Sequence, residues 1–299
     1  ASGRRDGQSG GAAGRYRVSF ARLCQLLQLS QFWGARAPLQ RAGERAVIAE
    51  LNESNRPQFL AAVRGRPYFG DILPVHLAVF GRSGALMRFY VADGSAAVQL
   101  KGRSAVLCGT YDAEETGAFL RMQGVRYVNA GGAAPAGYSP LYALHNLVLA
   151  KAAAPPCPDA VRLTLDRAPA PAEVTDFMMR GEDDPGAWDN FYSELCTKLA
   201  RGAAEVWAVR REGALVSTAG AYALSPDTAY LAAVETLEAL RGQGIGGWLT
   251  GLLAADLAAR GRRVALSCKK ERLNFYHRLG FAAEDTVQRY ALDGLPEEK

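Results

Sequence analysis

Val234-Glu235-Thr236-Leu237-Glu238-Ala239-Leu240-Arg241-Gly242-Gln243-Gly244-Ile245-Gly246-Gly247 decides how this chain is read. Upstream, Ala229 to Thr236 has the composition of a strand; downstream, Ile245 to Arg260 predicts a helix that Gly261 stops. Between them lies a turn with four glycines. Glycine lets the backbone approach a ligand without Cβ interference and adopt φ > 0. The first amides of the following helix lack intrahelical partners, so the turn and the helix start together form an anion site. An ordinary helix start needs one small residue, not four. A Walker loop is excluded because the Lys-Ser/Thr ending is missing, and the spacing of Gly242, Gly244, Gly246 and Gly247 is not that of the dinucleotide fingerprint. What remains is R-x-x-G-x-G, filled by Arg241, Gly244 and Gly246.

A second block follows in order: Asn274-Phe275-Tyr276-His277-Arg278-Leu279-Gly280-Phe281, on a predicted helix over 271–279. Together the two blocks resemble the GNAT superfamily of N-acetyltransferases, and the resemblance spans residues 159–293. It implies an α+β fold with a mixed sheet flanked by helices, and acetyl-CoA as acyl donor. The backbone of Val234, Glu235 and Thr236 would hold the pantetheine arm by extending the strand. Residues Arg241, Gly242, Gln243, Gly244, Ile245, Gly246 and Gly247 would cradle the pyrophosphate. Tyr276 would be the general acid that protonates the departing thiolate, since a phenol of pKa about 10 suits that leaving group. Glu235 is the candidate base, with Tyr230 and a water chain as competitors, because strand side chains alternate and a bulge changes their parity. Many members carry an Asn seven residues before the Tyr; this chain has Lys269, a cation able to meet a phosphate.

The rest of the domain over 159–293 is expected as a strand at Val161–Leu165, helices over 171–179 and 188–199, and a hairpin around Glu212-Gly213. A strand at Arg263–Ser267 and a last strand from Val287 to Leu292 complete it. Ala152 to Pro158 contains consecutive prolines, which continue neither helix nor central strand, and marks a domain junction. Before it, residues 16–151 are expected to form a second α+β domain. Helices are expected at Ser19–Leu29 and Arg56–Val63, and strands at Val75–Phe80, Leu86–Ala92, Ala96–Leu100 and Ser104–Cys108. A helix capped by Asp112 and a strand from Val125 to Val128 follow. By element order this half resembles a degenerate second copy of the same fold, without the glycine turn. Residues 1–15 are Gly-rich with no apolar signal region, and are set aside as a disordered tail.

Composition narrows the function classes. Of 299 residues 49% are hydrophobic and 22% charged, the balance of a globular protein, and no apolar run reaches the roughly 18 residues a membrane span needs. The net charge of +5 is not gathered into a basic stripe interleaved with aromatics, so no nucleic-acid partner is expected. Five scattered cysteines and three histidines that do not cluster with them predict reduced thiols, a cytoplasmic setting and no metal. Cys268 is expected to be a buried thiol, and His277 to lie at the surface. The expected activity is transfer of an acetyl group from acetyl-CoA to a primary amine, on a small molecule or a peptide, by direct attack. A non-catalytic acyl-CoA-binding sensor module and transfer of a longer acyl chain are the alternatives. The acidic loop Glu182-Asp183-Asp184 is either solvated surface or a border of the amine site.

Overall fold

A computed structural model describes residues 48–295, apart from 83, 85 and 185. The expected helix over 19–29 and the tail over 1–15 lie outside the described residues. Twelve strands form one mixed sheet among the described residues, in the order β1-β2-β3-β4-β5-β12-β6-β11-β10-β9-β8-β7. They are β1 (Ala49–Glu50), β2 (Arg88–Ala92), β3 (Ala96–Lys101), β4 (Ser104–Cys108), β5 (Tyr127–Ala130), β6 (Tyr138–Leu149), β7 (Leu163–Asp166), β8 (Glu205–Arg211), β9 (Ala214–Leu224), β10 (Thr228–Thr236), β11 (Arg263–Cys268) and β12 (Phe281–Leu292). The helices are α1 (Arg56–Val63), α2 (Phe69–Phe80), α3 (Ala113–Met122), α4 (Pro171–Met178), α5 (Ala187–Ala200), α6 (Ile245–Ala259) and α7 (Leu273–Arg278).

Two strand pairs are parallel, β4 with β5 and β10 with β11, and each is bridged by a helix, α3 and α6 respectively. The remaining neighbours are antiparallel. The same unit of antiparallel strands, helix and parallel strand therefore occurs twice. The copies also trade strands: β12, last in the chain, pairs with β5, whereas β6 pairs with β11.

Two expectations fail. Val75–Phe80 is not a strand but the second half of α2. Phe69, Ile72, Leu73, Val75, Leu77, Val79 and Phe80 are all buried, so the helix is apolar nearly all round and carries no helical period to read. Its N-terminus is closed by Asp71, whose carboxylate accepts the Tyr68 N–H at 3.1 Å. The second failure is β6, for which the sequence offered no element. It lies between β12 and β11 with Leu147 fully buried, and Pro140 near its start disguises it.

The two largest cores among the described residues flank the sheet. On one face α6 buries Leu249, Leu253 and Leu257, spaced four apart, against Leu231, Val264 and Leu266. On the other, α1 and α2 pack Phe59, Leu73 and Phe80 with Ala223 and Val287, joining residues from both sides of the proline-rich segment. That segment is exposed and irregular but not loose. A Cβ on Gly251 of α6 would lie 2.8 Å from the Ala153 carbonyl oxygen, so the chain is strapped across the helix.

Candidate active site

The site begins where β10 leaves β11. The two pair in register from Thr228↔Arg263 to Leu231↔Leu266, and no further. β10 continues to Thr236 against β9, through irregularities that place Ala233 at φ 52°. Two buried hydroxyls of β9 hold it there: Thr218 Oγ1 donates to the Ala233 carbonyl at 3.2 Å, and Ser217 Oγ to the Glu235 carbonyl at 2.8 Å. The β10 backbone around Val234, Glu235 and Thr236 is thus held to β9, while its other edge has no β11 partner beyond Leu231. Ser217 and Thr218 went unnoticed in the sequence. Their signal was an adjacent hydroxyl pair inside an apolar strand.

From Thr236 the chain makes a 3₁₀ turn at Glu238–Leu240 and enters α6 through the exposed residues 241–244. Gly244 is the N-cap at φ 83°, a left-handed conformation, with no side chain closing the first amides and no acid in the first helical turn. A Cβ on Gly246 would stand 2.8 Å from Thr236 Oγ1, so a side chain there would have to displace that hydroxyl. Ile245 is buried beneath the turn and anchors it. The first copy differs at the corresponding place. The α3 N-terminus is closed by Asp112, which accepts the Glu115 N–H at 2.8 Å, and Glu114 and Glu115 follow in the first turn. Those carboxylates fill and repel the position that an anion would take.

Arg241 and Glu235 meet across the turn at 2.7 Å, and Arg241 Nε donates to the Thr236 carbonyl at 3.2 Å. Glu235 also accepts the Thr236 N–H at 3.1 Å. Val234 packs into the α6-side core, and Glu235, next along the strand, points to the opposite face. Its carboxylate is half-buried, steered by Arg241.

Tyr276 lies on α7, edge-on to Phe275 at 4.9 Å and to Phe281 at 5.9 Å between ring centres. Burial, with a smaller contribution from nearby Cys268, pushes its hydroxyl up to about 12, so it is firmly protonated at neutral pH. A Cβ on Gly247 would touch the Phe275 ring at 3.6 Å, which shows how closely α7 sits on the α6 N-terminus. The turn, the strand gap and Tyr276 are therefore brought to one end of α6. Cys268 is buried and its thiol is pushed up to about 11 by burial, the state of a packed thiol rather than a nucleophile. His277 is exposed. Lys269 does not reach toward the turn: its ammonium lies 4.0 Å over the Tyr142 ring. In the acidic loop, Asp184 accepts the Gly186 N–H at 2.9 Å and Glu182 the Asp184 N–H at 3.2 Å.

Comparison with known proteins agrees with this geometry. Residues 172–281 match the acetyltransferase (GNAT) family and are a GNAT acetyltransferase domain. No curated protein matches the chain in sequence. Among solved structures, a tandem GNAT protein from the clavulanic acid biosynthesis pathway superposes with a TM-score of 0.58 at 14% identity, over 85% of this chain and 100% of that one. A GCN5-related N-acetyltransferase from Kribbella flavida gives 0.52 at 17% identity, over 74% and 94%. A GCN5-related N-acetyltransferase-like protein from Streptococcus suis gives 0.52 at 15%, over 80% and 98%. At these identities the likeness is one of fold: a GNAT-type mixed sheet flanked by helices, with a GNAT-like first half. Among the described residues no cluster of His, Cys, Asp or Glu could hold a metal ion, and no helix is long and apolar enough to cross a membrane.

Proposed function

We propose that the chain is an acyl-CoA-dependent N-acetyltransferase that moves an acetyl group from acetyl-CoA to a primary amine by direct attack. The observation that carries this reading is the joining of the strand gap after Leu231 to an uncapped helix start at Gly244, since a phosphate-bearing chain needs both. Acetyl-CoA would supply the acyl group already activated as a thioester. The free edge of Val234, Glu235 and Thr236 would align its arm, and Arg241, Gly242, Gln243, Gly244, Ile245, Gly246 and Gly247 would receive the pyrophosphate. Tyr276 would hold a proton at its hydroxyl for the departing sulfur. Glu235 would accept the amine proton, directly or through water, once Arg241 turns to the phosphates. Alignment and backbone hydrogen bonds would supply much of the rate.

The test is acetyl-CoA-dependent thiol release against a panel of amines and peptides, with Tyr276→Phe alongside. Amine-dependent release that falls about 100-fold in the variant is the expected outcome. Coenzyme A binding with no release from any acceptor would replace the reading by a sensor module.

A further inference from the structure

The sheet face opposite α6 carries a polar row that the transfer chemistry above leaves unused. Leu231 of β10 and Leu266 and Cys268 of β11 belong to the α6-side core, so Tyr230, Ser267 and Lys269 alternate to the other face. The contacts agree. The Tyr230 ring meets that of Tyr68 on the α2 side at 5.9 Å. Ser267 Oγ donates to Asn146 Oδ1 at 2.5 Å across the β11–β6 register. Asn146 is only 2% exposed, and its Nδ2 has no hydrogen-bond partner. One residue pair further, the Lys269 ammonium stacks on Tyr142, and the Arg289 guanidinium lies 4.7 Å from the Tyr127 ring centre and 6.0 Å from that of Tyr142. Asp285, in register with Asn146, turns its carboxylate onto the Thr286 N–H at 2.7 Å.

We infer that this row is the amine-acceptor site, and that the acceptor carries an anionic group received by Lys269 and Arg289 on the Tyr142–Tyr127 shelf. The inference rests on the proposed transfer chemistry. If the acyl donor lies in the β10–β11 gap with its phosphates at the α6 end, an amine attacking the thioester carbon enters from the opposite face. Ser267 is the first residue of β11 beyond the last β10–β11 pair, so it marks the point of entry. Ser267 and Lys269 are two residues apart on one strand face, about 7 Å. A small molecule with an amine at one end and a carboxylate or phosphate at the other spans that distance. The Lys269 ammonium over the Tyr142 ring, and the Arg289 guanidinium, whose Nη1 donates to Asn129 Oδ1 at 3.2 Å, are held in place before the ligand arrives. Together they give this end of the row a positive charge. The unpartnered Asn146 Nδ2 supplies a further donor beside Ser267 as the site fills. Asn146 comes from β6, so the first half of the chain would shape the substrate specificity of the second.

Matched pairs of acceptors test this by thiol release: ω-amino acids such as 4-aminobutyrate against their amides, and phosphoethanolamine against ethanolamine. The anionic member of at least one series is expected to be favoured tenfold or more in kcat/KM, and the favoured series names the anion. Lys269→Gln is expected to raise KM for that acceptor about tenfold while leaving KM for acetyl-CoA unchanged. Arg289→Gln should act in the same direction. Neutral members used equally well in both series, or a Lys269→Gln effect on the KM for acetyl-CoA instead, would overturn the inference and leave the acetyltransferase reading standing. The absence of thiol release from any acceptor would overturn both.

Discussion

Gly246 and Tyr276 show how much rests on single atoms here. A methyl group on Gly246 must displace Thr236 Oγ1, which is itself held at 2.9 Å by Ser217 Oγ. Gly246→Ala is therefore expected to cost about 1 kcal/mol or more from overpacking. It should also raise KM for acetyl-CoA, and Gly246→Ala/Thr236→Ala, which removes the obstructing hydroxyl, should recover the melting temperature. An unchanged melting temperature in the single variant would mean that the approach is not tight. Tyr276 has a hydroxyl pushed up to about 12 by burial, so it stays protonated throughout the working range. The expected pH–rate profile rises as the amine deprotonates and shows no Tyr276-dependent alkaline fall up to pH 10. A fall near pH 10 that Tyr276→Phe abolishes would mean that the phenol is not buried in solution. Both residues were legible in the sequence because their motifs are local. The face to which Glu235 points was not, since the irregular pairing around Ala233 is set by Ser217 and Thr218 of the neighbouring strand.

Among the elements, α2 and α5 are joined by buried charge. Lys198 of α5 donates to Glu194 at 2.7 Å and lies 3.1 Å from His76 Nε2 on α2, while His76 Nδ1 meets Gln99 Oε1 at 2.9 Å. Lys101 completes the cluster against Glu194. A lysine donating to Nε2 and an amide oxygen accepting from Nδ1–H require neutral imidazole. Burial, followed by the Lys198 charge, pulls His76 down to about 3. A histidine with a depressed folded pKa contributes stability that is intact above the unfolded value of about 6.5 and is lost as pH falls toward 3. Between pH 7 and pH 5 the expected loss is about 2 kcal/mol. His76→Gln, which keeps a donor and an acceptor, should flatten the dependence of the melting temperature on pH over that interval; an equal slope in the variant would assign it elsewhere. Burial opposes the charge on Glu194, but Lys101 and Lys198 together outweigh it and hold the carboxyl down to about 2, so it does not contribute in this window. None of this was visible in the sequence, because the five residues lie on three distant segments. The amphipathic helices α3 and α5 were legible from their spacing, whereas α2, apolar nearly all round, gave no period to distinguish helix from strand, and Pro140 disguised β6.

For the molecule as a whole, the traded strands matter most. β6 precedes the proline-rich segment yet pairs with β11, and β12 ends the second half yet pairs with β5. We propose the segment from Ala152 to Pro158 as the junction between two GNAT-like halves that do not fold independently. Expressed separately, each half should be insoluble or unfolded, whereas co-expression should reconstitute a complex; a cooperatively folded 159–293 fragment would refute this. The sequence by itself determined the glycine turn, the Tyr276 block and the resulting GNAT fold of the second half, because these depend on backbone freedom and residue order over short distances. Only the tertiary structure decided which strands complete each half of the sheet, which face Glu235 and Lys269 occupy, and that Asn146 stands beside Ser267. Those outcomes follow from strand register and from packing between segments far apart in the chain, where side-chain pattern alone does not choose the partner.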